Sequence, residues 1–77
     1  MNIKVLGTGC NNCKMLLEHT KKAVEELNIE ADIEYITELK TIVQLGVVKT
    51  PALMVDQKIV SSGKVLDVHS LKSILLK

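Results

Sequence analysis

From Asn11 to Leu27 the chain holds neither proline nor glycine, and this uninterrupted run constrains the fold more than any other feature. Leu16, Leu17, Ala23, Val24 and Leu27 recur at the spacings of one helix face, while Lys21, Lys22, Glu25 and Glu26 fall largely elsewhere. The run therefore predicts a long amphipathic helix. Before it, Ile3 to Leu6 is a short apolar-rich segment ended by Gly7-Thr8-Gly9, the pattern of a strand entering a turn. After it, Asn28 is a plausible stop. Between Ile29 and Ile36, the residues Ile29, Ala31, Ile33 and Tyr35 alternate with Glu30, Asp32 and Glu34, the period of a strand with one wet face. A strand, a helix and a second strand in this order predict a parallel pair joined by a right-handed crossover.

The second half reads as a shorter version of the same grammar. Thr37 is positioned to cap a short helix carrying Leu39, Ile42 and Val43, with Gly46 as its left-handed stop. Lys49-Thr50-Pro51 follows. Ala52 to Val55 and Lys58 to Ser61 are strand-like runs separated only by Asp56-Gln57, which forces a hairpin if both are strands. Gly63 reads as a turn residue with positive φ. Asp67 reads as the N-cap of a last helix bearing Val68, Leu71, Ile74 and Leu75. The expected order is βαβαββα, an α/β fold with one four-stranded mixed sheet flanked by helices. Repeats and linkers are absent, so residues 1–77 are expected to form a single domain.

Composition narrows the function classes. Phe and Trp are absent and Tyr35 is the only aromatic, so the core must come from Leu, Ile, Val and Met. Ten basic and nine acidic residues leave a formal charge of +1, far from the excess that neutralises a row of phosphates, which argues against nucleic acid as a partner. No segment approaches the roughly 20 apolar residues of a membrane span, and Met1-Asn2-Ile3-Lys4 leads straight into the first strand rather than through a signal peptide. A cytoplasmic protein with no membrane partner is expected. In a reducing compartment, two cysteines three residues apart are catalytic or metal-binding rather than a structural staple.

Cys10-Asn11-Asn12-Cys13 sits where a strand ends and a helix begins. The partial positive charge and unpaired amides of a helix N-terminus stabilise a thiolate there, with typical pKa values of ~3.5 to ~7 against ~8.5 for a free thiol. Cys10 is then the candidate nucleophile. Cys13, one turn further in and more shielded, is the candidate resolving thiol, placed to attack a mixed disulfide on Cys10. A zinc site needs four ligands, and only His19 and His69 stand beside the cysteines, at the wrong spacing. Both histidines read as solvated helix residues. A buried, inert pair is opposed by the adjoining glycines.

With these residues in view, the sequence resembles the thioredoxin and glutaredoxin superfamily, and its very small archaeal and bacterial redox-active disulfide members in particular. Gly7-Thr8-Gly9-Cys10-Asn11-Asn12-Cys13-Lys14 is similar to their strand-end motif, and the element order fits over the whole chain. The resemblance implies a thiol-disulfide oxidoreductase whose only redox group is the Cys10–Cys13 disulfide, with no other cofactor and no metal. It implies that Pro51 is cis and faces the disulfide, and that Thr50 presents backbone groups to a substrate. It also implies electron exchange with protein or small-molecule disulfides, with disulfide-containing proteins as partners, a thioredoxin-reductase-like electron donor and a monomer. The departures are specific: Gly9 replaces a tryptophan, Asn11-Asn12 replaces Gly-Pro, and Lys4 replaces a buried acid six positions before the nucleophile. Ser61-Ser62-Gly63-Lys64 does not reproduce the glutaredoxin pocket for glutathione.

Two other readings use the same cysteines. Heavy-metal-associated domains also place a C-x-x-C at a strand-to-helix junction, and two thiolates hold Cu(I) well. Those domains resemble βαββαβ and carry Met two residues before the first cysteine, whereas Thr8 stands here and a helix is expected at the end. A redox-sensing module without turnover is the third possibility.

Overall fold

The computed structural model of the chain describes residues 1–9 and 11–76. The elements are β1 (Asn2–Leu6), α1 (Asn11–Leu27), β2 (Asp32–Ile36), α2 (Leu39–Gln44), β3 (Ala52–Val55), β4 (Lys58–Ser62) and α3 (Val68–Leu75). This is the expected βαβαββα order. The sheet runs β2-β1-β3-β4, with β1 parallel to β2 and antiparallel to β3, and β3 antiparallel to β4. No helix among the described residues is long and apolar enough to cross a membrane.

Strand alternation divides the core between the two faces of the sheet. Ile3 and Val5 of β1 and Leu53 of β3 face Leu16 and Ala23 of α1 and Leu71 and Leu75 of α3. Leu6, Ala52 and Met54 face the other way, toward Ile42 of α2 and Val47. Two helices therefore cover one face and a single short helix the other. Thr20, fully buried in α1, satisfies its hydroxyl by donating to the Leu16 carbonyl at 2.7 Å.

The helix ends show where local chemistry prevailed and where it did not. α1 stops in a Schellman motif: Asn28 takes φ 53°, its N–H reaches Glu25 O at 3.1 Å, and Ile29 N reaches Val24 O at 3.4 Å. That commitment of Ile29 shortens β2, which begins at Asp32 rather than Ile29, when Asp32 N bonds Met1 O at 2.9 Å. Gly46, with φ 88°, closes α2 in the same way. Thr37 does not cap α2. The N-cap is Glu38, and Thr41 Oγ1 donates to its carboxylate at 3.2 Å, so the first-turn hydroxyl reaches back instead of Thr37 reaching forward. The hairpin loop Asp56-Gln57 takes positive φ at both residues, the type I′ geometry that matches strand twist, and Asp56 Oδ1 accepts from Asn2 N at 2.9 Å.

Asp67 does cap α3, accepting from Ser70 N at 2.7 Å. That bond holds its carboxyl below the ordinary value of 3.8. A carboxyl depressed in the folded state stabilises above its unfolded pKa and loses the effect as pH falls through the folded value. Asp67→Ala is therefore expected to melt lower than the natural chain at neutral pH, with the gap closing as the buffer is taken well below pH 3.8. Parallel thermal melts across an acid series check this, and a gap that stays constant with pH defeats it.

Candidate functional site

The site grows from the end of β1. Ile3 and Val5 point into the core beneath α1, and the next position on that side of the chain is Gly7. A side chain there would fill the space between the strand end and the helix. Glycine leaves a slot instead, and Cys13 of α1 occupies it: a Cβ built on Gly7 would overlap Cys13 Sγ and lie 2.6 Å from Cys13 Cβ. Both residues are buried, and Cys13 has no exposed surface. Gly7 N donates to Ile36 O at 2.9 Å, so the β1–β2 pairing extends to the residue on which the sulfur rests. Gly9, with φ 88°, then turns the chain into α1.

The sequence read Gly7 only as a turn residue. Its φ is not positive, and the need for glycine there is spatial, because of a partner six positions later. The signal that could have found it is the two-residue alternation Ile3, Val5, Gly7, a row of inward positions ending in a missing side chain.

The Thr50–Pro51 segment reaches the same end of the sheet. Leu6 pairs with Ala52 in the β1–β3 register, so the residue before Ala52 arrives beside the end of β1. Pro51 is buried, Thr50 is half-buried, and the peptide bond between them is cis. Pro51 O accepts from Gly63 N at 2.9 Å, which ties this loop to the end of β4, and Gly63 takes φ 74°. Three candidate residues, Cys13, Thr50 and Pro51, are thus placed at one end of the central strands. Cys10, the candidate nucleophile, lies outside the described residues, and so does its expected contact with Pro51.

Other candidates separate from this end. Lys4 is half-buried in the middle of β1, in register with Glu34 and Met54, on the sheet side that faces α2 rather than α1. His69 is exposed in the first turn of α3. His19 departs from its reading as a solvated residue. It is half-buried, and its Nδ1 lies 2.8 Å from Leu66 O. A carbonyl only accepts, so the Nδ1 proton is present and His19 pins the start of α3 to α1. Lys72 and Glu26 join the same two helices at 2.7 Å.

With this geometry in place, likeness to known proteins decides the family. The sequence profile of the thioredoxin domain matches residues 1–76. The chain belongs to the thioredoxin family. It is 40% identical over 75 residues to a thioredoxin of Methanothermobacter thermautotrophicus, covering 97% of each chain. A thioredoxin of Methanocaldococcus jannaschii is 41% identical over 70 residues, which cover 91% of this chain and 80% of that one. The soft-metal carrier has no support beside this. Its βαββαβ order ends on a strand, whereas the thioredoxin-family chain here ends on α3.

Proposed function

We propose that the protein is a thiol-disulfide oxidoreductase that exchanges electrons with disulfide-containing proteins through Cys10 and Cys13. Membership of the thioredoxin family supports the general chemistry. The observation that carries the assignment of roles is the burial of Cys13 against Gly7, in the first turn of α1, while Cys10 immediately precedes the helix in sequence.

The Cys10 thiolate attacks one sulfur of a substrate disulfide, forming a mixed disulfide and releasing the other sulfur as a thiolate that takes a proton from water. Cys13 gives its proton to solvent and attacks Cys10 Sγ, and that proton is taken up again by the departing substrate thiolate. The Cys10–Cys13 bond forms, the bond to substrate breaks, and the second substrate sulfur leaves reduced. Two electrons have moved from the dithiol to the substrate. At pH 7, lowering a thiol pKa from about 8.5 to about 7 raises the thiolate fraction from roughly 3% to roughly 50%, the gain available at a helix N-terminus. Thr50 and Pro51 are assigned to substrate binding, supported by their place at the same sheet end as Cys13. The working form is a cytoplasmic monomer, re-reduced by a thioredoxin-reductase-like donor, and the disulfide is its only redox group.

Alkylation tests the assignment. Brief iodoacetamide treatment of the reduced protein at neutral pH is expected to label Cys10 first, because rate follows thiolate fraction and access and Cys13 is fully buried. Peptide mapping reads the order, and the untreated oxidised protein is expected to be two hydrogens lighter than the reduced one. Equal labelling of both thiols, or an oxidised form consisting only of intermolecular dimers, overturns the reading.

A further inference from the structure

The proposed exchange needs the second sulfur close to the first, and the slot at Gly7 is where the chain seats Cys13, out of reach of solvent. Three observations meet there. Position 7 continues the inward row of Ile3 and Val5, Cys13 packs into the space a side chain there would need, and a Cβ on Gly7 would clash with the Cys13 sulfur. Backbone geometry does not require the glycine, since its φ is not positive and its N–H bond to Ile36 O is one that alanine also makes.

We propose that Gly7 is a positioning residue for the resolving step: by lacking a side chain it seats Cys13, and so sets how fast Cys13 attacks the mixed disulfide. This rests on the reading of Cys10 as nucleophile and Cys13 as resolving thiol. In Gly7→Ala the added methyl overlaps the Cys13 sulfur and pushes the Cys13 side chain off its seat. Attack by Cys10 on an incoming disulfide does not involve that seat. The slot thus separates the two half-reactions, and substitution at Gly7 slows only the second.

The test uses the full-length reduced protein and Ellman's reagent, an aryl disulfide. Cys10 attack releases one thionitrobenzoate and leaves the other bound to Cys10. Cys13 attack on Cys10 Sγ then forms the intramolecular disulfide and releases the second. Stopped-flow absorbance of the released anion resolves the two phases. In Gly7→Ala the first phase is expected within twofold of the natural protein and the second at least tenfold slower. A second phase within twofold of the natural rate in the folded variant overturns the proposal. Failure of the natural protein itself to release two equivalents in two phases overturns instead the underlying assignment of the thiols. If Gly7→Ala does not fold, Gly7→Ala/Cys13→Gly decides: recovered cooperative unfolding supports a slot made for the Cys13 side chain, and a chain that stays unfolded refutes it.

Discussion

Cys10→Ser is expected to reduce dithiothreitol-driven reduction of a protein disulfide to background, a loss on the order of 10³ or more, because a serine hydroxyl cannot form the mixed disulfide through which the electrons pass. Cys13→Ser is expected to fail differently. Its Cys10 still attacks, but the buried partner that would displace the substrate is gone, so a covalent adduct accumulates. Non-reducing electrophoresis with an added disulfide protein reads this directly: Cys13→Ser carries the adduct, Cys10→Ser carries little, and reductant releases it. Similar trapping by both variants contradicts the assignment of roles even though the family is secure. A sensing module without turnover gives another pattern, with formation of the Cys10–Cys13 disulfide but no catalytic reduction of the added protein.

The second large effect is on stability. Leu53 lies on a central strand, opposite Val5 in register, and is fully buried among residues of β1, α1 and α3. Leu53→Ala removes packing that no flexible surface can recover, at a typical cost of about 2–5 kcal/mol. A domain of 77 residues has a total stability of roughly 4–12 kcal/mol, so the change consumes a large fraction of it. Each kcal/mol shifts the melting temperature of so small a domain by about 4–8 °C. Urea titration with an unchanged slope and a strongly lowered midpoint is the expected record. Val48→Ala is the matched comparison: Val48 is 95% exposed, and its truncation is expected to change stability by less than about 0.5 kcal/mol. Equal effects at the two positions would mean that the core is not where the sheet places it.

Much of this molecule was legible in the sequence because the information is local. Freedom from Pro and Gly with helical spacing bounded α1 at Asn11 and Leu27, two apolar runs and a two-residue gap bounded β3 and the hairpin, and Asp67 announced α3. Each of these signals acts within a few residues, through hydrogen-bond periodicity, capping or turn geometry. The candidate cysteine motif is equally local, being four consecutive residues. What the tertiary structure decided were questions of partnership between distant segments. Alternation splits each strand's residues between two faces, but which face meets α1 and α3 and which meets α2 depends on where the connections place the helices. His19 became an anchor only when Leu66 was brought to it from 47 positions away. Two other differences are local: Ile29 is held in the stop of α1, so β2 begins later, and α2 takes Glu38 rather than Thr37 as its N-cap. Gly7, read from sequence as freedom to turn, is a vacancy shaped for Cys13. The physical reason is range: capping, turn and periodicity signals are written in neighbouring residues, whereas a hydrogen bond between helices or an excluded volume is defined only when another part of the chain arrives.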